Sequence, residues 1–236
     1  MSSSHPDGRP GRLSEKVCII TGTGGSMGRA TAMTFAREGA LVVGCDVAAE
    51  AAQETVDAVN AAGGEMVSLQ PCHLTDPTDC AKLAELAVNE FGRIDVLFNL
   101  AGRQHFGRLE DVTDEEWDAA RRDEVDLIFY LTRAAWPHLK ASSGVVVNMA
   151  SLNGQLSFKN LASLSHTTNK AGIIGMTRQL ALEGSEHGIR VNSISPGLIE
   201  SGATRGHLVK AKAAGRARCS TGRSSAGSAN PRRSRT

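Results

Sequence analysis

Six short apolar runs alternate with longer amphipathic stretches over most of the chain. The runs are KVCIITG (16–22), ALVVGCD (40–46), EMVSLQ (65–70), RIDVLFN (93–99), GVVVNMAS (144–151) and IRVNSISPG (189–197). Their nearly continuous apolar character is typical of strands that are covered on both faces in a parallel sheet. A chain in which such strands alternate with helices is predicted to form a doubly wound α/β fold.

Two helix starts between these strands carry clear sequence signals. Asp76 followed by Pro77 predicts an N-cap with proline at the first helical position. Thr113 and Glu116 have the spacing of a capping box ahead of another helix. Both signals support the predicted alternation of strands and helices.

The length of 236 residues allows one large domain with a buried core. A net charge of +1 favours neither nucleic acid nor an anionic membrane as the main partner. Residues 209–236 differ, because they contain two lysines, six arginines and no acidic residue. We therefore predict a disordered N-terminus at 1–13, one domain at 14–208 and a basic disordered tail at 209–236. A solvated tail is favoured over a nucleic-acid-binding arm.

The five cysteines are scattered without a C-x-x-C pair, which is typical of free thiols in a reducing compartment. The N-terminus lacks the apolar stretch of a signal peptide, and no run approaches the roughly 20 apolar residues of a membrane span. We expect a cytoplasmic protein that has no membrane partner and no metal site.

A glycine-rich turn, TGTGGSMGRA (21–30), follows the first predicted strand. Gly22, Gly24 and Gly28 allow positive φ angles and a close approach of the backbone to a pyrophosphate, which the following helix N-terminus attracts. Asp46 ends the second strand, where a carboxylate can bind the adenosine ribose hydroxyls and would repel a 2′-phosphate. The pattern predicts NAD(H) rather than NADP(H), and Asp46 acting as a helix N-cap is compatible with that role.

Further motifs extend this pattern along the chain: NLAG (99–102), Ser151, Lys170 and SPGLIES (195–201). With the glycine-rich turn they resemble, in order and spacing, the short-chain dehydrogenase/reductase family over roughly residues 14–205. The resemblance implies a Rossmann-like domain of six strands here, a nicotinamide cofactor, and hydride transfer to or from a carbonyl or alcohol carbon. The cofactor-binding residues that it implies are Gly22, Gly24, Met27, Gly28, Leu74, Asn99, Lys170, Gly197, Ile199 and Ser201, besides Asp46.

Three positions near the predicted cofactor site depart from the family pattern. Ser26 replaces the middle glycine of T-G-x-x-x-G-x-G, so we expect a slightly altered loop. His73 stands where an acid often meets the adenine amine, which leaves the main chain at Leu74 to hold the adenine. Glu124 stands where asparagine is common.

The largest departure concerns the family's Y-x-x-x-K, which here reads HTTNK (166–170). In the family the tyrosine exchanges the substrate proton, a serine polarises the carbonyl oxygen and the lysine binds the ribose. Tyr130, the one tyrosine in the chain, is predicted to belong to a separate helix at about 121–140. Only the proton carrier has therefore changed, from a phenol to the imidazole of His166.

Imidazole is a competent acid/base, which ordinarily titrates near 6.5 whereas a phenol titrates near 10. We predict Ser151, His166, Lys170 and Glu124 as catalytic residues, with Glu124 fixing the histidine tautomer if it lies near. The alternative is an inert histidine in a catalytically dead site. A hydrolase triad of Ser151, His166 and Glu124 is disfavoured, because no G-x-S-x-G turn surrounds the serine.

Arg103, Gln104 and His105 follow NLAG on a loop that often faces substrate in the family. They are candidates for binding an anionic or polar group, and a solvated loop is the alternative. The family's substrate-covering helices and final strand have no counterpart after residue 201, so the predicted sheet lacks that strand. We expect a homodimer through two helices, at about 121–140 and 166–186, that carry Phe129, Trp136, Ile174 and Leu180.

Three functions are consistent with these observations. The first is an NAD(H)-dependent oxidoreductase that interconverts a secondary alcohol and a ketone. The second is an NAD(H)-binding protein without turnover, and the third is an inactive truncated product. The first hypothesis requires a small-molecule substrate as the partner. It involves neither nucleic acid nor a membrane.

Overall fold

One parallel sheet organises the molecule, for which the computed structural model describes residues 11–159 and 161–199. Its strands are β1 (Val17–Thr21), β2 (Leu41–Cys45), β3 (Glu65–Leu69), β4 (Val96–Asn99), β5 (Val145–Met149) and β6 (Arg190–Ile194). They lie in the order β3-β2-β1-β4-β5-β6, and each neighbouring pair is parallel. The predicted doubly wound sheet of six strands is confirmed, whereas Ser201 and the predicted tail lie outside the described residues.

Helices connect the strands on both faces of the sheet. They are α1 (Ser26–Arg37), α2 (Ala49–Ala61), α3 (Pro77–Phe91), α4 (Asp114–Arg121), α5 (Leu127–Ser142) and α6 (Leu164–Gly184). A π-helical turn joins α4 to α5, and it comprises Arg122–Asp126. Among the described residues, no helix is both long and apolar enough to cross a lipid bilayer.

The two predicted helix starts are confirmed by their hydrogen bonds. The Asp76 carboxylate accepts from the backbone N–H of Thr78 at 2.8 Å, and Pro77 is the first residue of α3. Thr113 and Glu116 form both bonds of a capping box at α4, with N–O distances of 3.2 and 3.1 Å. These side chains satisfy backbone donors that the first helical turn leaves unpaired.

Two apolar cores lie on opposite faces of the sheet. Because successive side chains of a strand point to opposite faces, β1 contributes Ile19 to one core and Ile20 to the other. The larger core is closed by α3, α5 and α6 through Leu83, Leu131 and Ile173. The smaller core is closed by α1 and α2. Burial on both faces explains the continuous apolar runs in the sequence.

The four described cysteines are core residues. Cys18, Cys45, Cys72 and Cys80 are buried free thiols. Burial raises the pKa of the Cys18 thiol and of the Cys80 thiol to about 12. Both are therefore uncharged at neutral pH and pack as small apolar side chains.

The packed structure begins before the domain boundary predicted at residue 14. The backbone N–H of Leu13 donates to the carbonyl of Glu38 at 2.9 Å, and its side chain packs against the smaller core. Arg12 donates through Nε to the Glu38 carboxylate at 3.3 Å. Residues 11–13, assigned by sequence to a disordered N-terminus, thus contact the end of α1.

The strand order reverses between β1 and β4, because β2 and β3 lie on one side of β1 whereas β5 and β6 lie on the other side of β4. Thr21 ends β1, and its Oγ1 accepts from the backbone N–H groups of Leu100 and Ala101 at 2.9 and 2.8 Å. This hydrogen bonding ties the glycine-rich turn to the loop after β4. In doubly wound sheets the crevice at this reversal is where ligands bind.

Candidate active site

The glycine-rich turn makes a close backbone contact at the start of α1. Gly22 has a φ of +76°, and a Cβ on Gly28 would lie only 2.0 Å from the Gly22 carbonyl oxygen. Both positions therefore require glycine. Ser26 is the exposed first residue of α1 and is not among the residues with positive φ, so its Cβ is accommodated. The slightly altered loop expected at Ser26 stays a prediction.

The Asp46 carboxylate holds the glycine-rich turn in place. Its Oδ2 accepts from the backbone N–H of Gly24 and its Oδ1 from that of Ala48, both at 2.9 Å. The N-cap of α2 is Ala48, so the structure does not support Asp46 as the cap itself. Each carboxylate oxygen can accept a second hydrogen bond, which leaves capacity for ribose hydroxyls.

The segment after β3 reaches Asp46 from the other side. The backbone N–H of Cys72 donates to the Asp46 carbonyl at 2.9 Å. Leu74 follows as a buried residue, and its carbonyl accepts from Cys80 Sγ at 3.3 Å. His73 is exposed between them. Leu74 thus lies near Asp46 in the fold, and its role toward an adenine stays a prediction.

Asn99 links several elements beneath the crevice. It is fully buried at the end of β4, and its Nδ2 donates to Thr132 at 3.1 Å and to Asn148 at 2.9 Å. Asn148 in turn donates to Thr177 at 3.0 Å, so the network spans β4, β5, α5 and α6. Asn99 Oδ1 is buried without a partner among the described residues. These bonds show an internal cross-link, whereas its contact with a cofactor stays a prediction.

These features fit a dinucleotide cofactor at the carboxyl ends of β1, β2 and β4. The glycines leave no side chain between the turn and the N-terminus of α1, whose unpaired N–H groups attract a pyrophosphate. Met27 is 39% exposed on the first turn of α1, where it is available to a ligand. Gly197 and Ile199 are exposed after β6, and the carbonyl of Pro196 accepts from Leu152.

Glu124 and His166 form a buried pair where the π-helical turn meets α6. Glu124 lies in the π-helical turn and is 1% exposed, whereas His166 lies in the first turn of α6 and is 3% exposed. Glu124 Oε1 lies 2.5 Å from His166 Nδ1. In a neutral ring whose Nδ1–H donates to the carboxylate, Nε2 is a hydrogen-bond acceptor.

The second oxygen of Glu124 is held by Asn169, a residue that the sequence reasoning did not identify. Asn169 Nδ2 donates to Glu124 Oε2 at 3.1 Å, and Asn169 is 7% exposed. Its signal in the sequence is the spacing of three from His166, which places both side chains on one face of α6. The carboxylate is therefore fixed through both oxygens.

Lys170 completes the cluster from the next turn of α6. Its Nζ donates to the carbonyl of Met149 at 3.0 Å and lies 3.9 Å from Glu124 Oε1. Burial lowers the pKa of Lys170, and the charge of Glu124 partly offsets this effect. The ammonium is thus positioned between β5 and the Glu124 carboxylate.

Ser151 lies at the end of β5, next to the same helix. Its Oγ accepts from the backbone N–H of Asn153 at 3.2 Å in a short 3-10 turn. This turn packs tightly on α6, because a Cβ on Gly154 would lie 2.7 Å from the Lys170 carbonyl carbon. The fold brings Ser151, Lys170, His166 and Glu124 to one end of the sheet, and their catalytic roles stay predictions.

The loop after β4 lines a cavity of about 200 Å³ beside this cluster. The cavity is lined by Arg103, Gln104, His105, Phe106, Val112, Glu116 and Ser165. His105 Nε2 lies 2.8 Å from Asp123 Oδ2, and the Phe106 ring centroid lies 5.6 Å from that of His166. Tyr130 lies in α5 against Phe129 and Arg133.

Comparison with known proteins gives consistent relatives. The family model for short chain dehydrogenase matches residues 16–211. The 3-oxoacyl-acyl-carrier-protein reductase FabG of Thermotoga maritima is 34% identical over 213 residues, which cover 90% of this chain and 85% of that protein. The cyclohexanol dehydrogenase of Acinetobacter sp. (strain SE19) is 33% identical over 192 residues, which cover 80% and 75%.

A solved structure shows the same similarity in three dimensions. The crystal structure of a short-chain dehydrogenase/reductase from Burkholderia xenovorans superimposes with a TM-score of 0.80 at 30% identity. The alignment covers 85% of this chain and 78% of that one. The chain therefore belongs to the short-chain dehydrogenase/reductase family of NAD(P)-dependent oxidoreductases.

Proposed function

We propose that this protein is an NAD(H)-dependent oxidoreductase that interconverts a secondary alcohol and a ketone, with His166 as the acid/base. The observation that carries the proposal is the buried contact of 2.5 Å between Glu124 Oε1 and His166 Nδ1. A buried imidazole needs a hydrogen-bond partner in any case, and a carboxylate bound to Nδ1 also fixes the ring orientation and tautomer that a general base requires. Two of the four departures from the family pattern, Glu124 and His166, meet in that contact.

In alcohol oxidation, His166 Nε2 accepts the proton of the substrate hydroxyl while Nδ1–H stays bonded to Glu124. The carboxylate stabilises the imidazolium that forms, as the acid of a histidine–carboxylate pair does in other enzymes. Ser151 donates to the substrate oxygen, and in ketone reduction the same groups act in reverse. A bound nicotinamide supplies or accepts the hydride.

Lys170 and Asp46 are the residues that we assign to the ribose groups of the cofactor. The Lys170 ammonium lies between Met149 and Glu124, close to the acid/base pair. Asp46 is a carboxylate beside the glycine-rich turn, and a 2′-phosphate placed there would meet like charge. This charge is our reason for proposing NAD(H) over NADP(H).

Substitution of His166 tests the proposed acid/base. His166→Ala should lower kcat by roughly two to four orders of magnitude, because proton transfer then lacks its base, while NADH affinity stays nearly unchanged. Glu124→Gln should also lower kcat, since it removes the charge that stabilises the imidazolium. Stopped-flow measurement of the chemical step and fluorescence titration of NADH separate the two effects.

His166→Tyr is the matched variant, because it restores the family's Y-x-x-x-K. If His166 is tuned to its pocket with Glu124, the phenol misaligns and activity drops. If the His166→Ala variant turns over as fast as the wild type, His166 has no part in the mechanism. NADH binding without any turnover by the wild type would instead support the cofactor-binding alternative.

The stability of the protein should depend on Lys170 in alkaline solution. Burial places the folded-state pKa of Lys170 below its ordinary value of 10.5, so the folded protein binds fewer protons between these two values. The cost of burying the ammonium is complete below the folded-state pKa and is relieved as pH rises toward 10.5. Wild type should therefore gain stability relative to Lys170→Met over this window.

Urea unfolding of wild type and Lys170→Met from neutral pH to pH 10 measures this difference. Lys140→Met is the control, because Lys140 is exposed on α5 and its removal should leave the pH dependence of wild type in place. Parallel stability curves for wild type and Lys170→Met would contradict the prediction.

The preference of the protein for NADH over NADPH should depend on the negative charge of Asp46. NADH should bind at least about tenfold more tightly than NADPH, which corresponds to about 1.4 kcal/mol. Asp46→Asn should narrow this gap, because the amide oxygen still accepts from Gly24 but the negative charge is gone. Asp118→Asn, which changes an exposed carboxylate on α4, is the control. Equal NADH and NADPH affinities for wild type in a fluorescence titration would reject the assignment.

We also propose a homodimer through α5 and α6. Phe129 and Leu182 are 46% and 69% exposed on these helices, so both apolar side chains are available to a second copy of the chain. Light scattering should give a dimer for wild type and a monomer for Phe129→Glu. Val47→Glu, at an exposed apolar residue before α2, should stay dimeric. A stable tetramer would contradict this assembly.

A further inference from the structure

The loop after β4 is attached to the turn that carries Glu124. We propose that His105 and Asp123 are positioning residues that hold Phe106 against His166, so that Phe106 forms an apolar wall of the substrate site. This inference rests on the proposed function and adds the substrate class, a secondary alcohol or ketone with an apolar substituent. His105 is thereby assigned to the protein's own structure and not to a polar group of the substrate.

The attachment has a side-chain part and a backbone part. His105 Nε2 lies 2.8 Å from Asp123 Oδ2, and the two side chains are 22% and 28% exposed. The backbone N–H of Arg103 donates to the carbonyl of Asp123 at 3.2 Å. A Cβ on Gly102 would lie 3.4 Å from the same carbonyl oxygen, so the loop runs in contact with the π-helical turn.

Two adjacent carboxylates of this turn each bind a histidine. Asp123 contacts His105 of the loop, and Glu124 contacts His166 of α6. The position of the loop and the orientation of the imidazole therefore depend on one short segment of backbone. A π-helical turn is an uncommon conformation that occurs frequently at functional sites.

Phe106 is held on both sides along the chain. His105 precedes it, and Gly107, which follows it, forms a parallel β-bridge with Ser163 just before α6. The Phe106 ring is tilted by 56° to the His166 ring at a centroid distance of 5.6 Å, which is in the usual range for interacting rings. Phe106 nevertheless retains 37% exposure, so part of its surface is open to a ligand.

An aromatic surface in contact with the acid/base selects the group beside the reacting carbon. A substrate hydroxyl that reaches His166 brings its carbinol carbon near Phe106. An apolar substituent on that carbon gains contact with the ring, and the gain increases with the apolar area that the ring covers. The wall thus favours aryl or alicyclic substituents over a small methyl group.

The first test needs no turnover, because the ring current of Phe106 acts on the imidazole of His166. In histidine-selective NMR spectra, Phe106→Leu should move the ring C–H resonances of His166. Asp123→Ala should move them in the same direction, whereas Asp123→Asn should restore most of the wild-type position, since its amide oxygen still accepts from His105. His187→Ala, at an exposed residue after α6, should leave them unchanged.

The double variant Phe106→Leu with Asp123→Ala identifies the route of the effect. If Asp123 acts through Phe106, the double variant should show no larger shift than Phe106→Leu alone. Additive shifts, or an unmoved His166 resonance in Asp123→Ala, would overturn the proposal. Thermal melts of each variant identify any that fails to fold. If Asp123→Ala does not fold, the His166 resonances of Asp123→Asn test the role of Asp123 in its place.

The second test measures substrate choice in the active wild type. For an aryl-substituted secondary alcohol, Phe106→Leu and Asp123→Ala should each raise KM roughly threefold to tenfold with kcat less affected, because an apolar contact made in the bound state is lost. KM for 2-propanol should stay within about twofold. Equal effects on both alcohols would overturn the substrate assignment. A wild type without turnover refutes the proposed function, while the NMR result still decides the positioning role.

Discussion

The burial of the Glu124 carboxylate is the constraint on which the candidate site depends. A carboxylate that is 1% exposed must be paired or hydrogen-bonded, because desolvation of an isolated charge is very unfavourable. Within residues 11–159 and 161–199, Glu124 meets this requirement through α6, which supplies His166 and Asn169 as direct partners and Lys170 at 3.9 Å. The docking of α6 on the π-helical turn and the geometry of the proposed acid/base are therefore one structural feature.

The sheet places this cluster beside a dinucleotide-binding crevice. Reversal of the strand order between β1 and β4 opens the crevice, and Thr21 holds the two flanking loops together through Leu100 and Ala101. The buried amides Asn99 and Asn148 cross-link the strands and helices just below it. A rigid base of this kind keeps the candidate catalytic groups in fixed relative positions, which the proposed proton and hydride transfer requires.

Short-range sequence signals were sufficient for the elements and for part of the site. The apolar runs predicted six strands, the caps at Asp76 and Thr113 predicted two helix starts, and the glycine spacing predicted the turn after β1. The resemblance to the short-chain dehydrogenase/reductase family indicated a dehydrogenase-like constellation of Ser151, His166 and Lys170 with a changed proton carrier. The strands, the helix starts and the glycine-rich turn depend on residues that are close in sequence, where backbone geometry alone determines proximity.

Only the tertiary structure decided which of these groups meet. Glu124 and His166 are 42 residues apart, and His105 and Asp123 are 18 apart, so no local periodicity could pair them. The sequence also missed Asn169, because a partner for the second carboxylate oxygen becomes necessary only once Glu124 is buried. By itself the sequence determined the order of strands and helices, the family and the chemical groups available. Packing of α6 against the π-helical turn decided their contacts, because desolvated charges take the partners that the fold brings within reach.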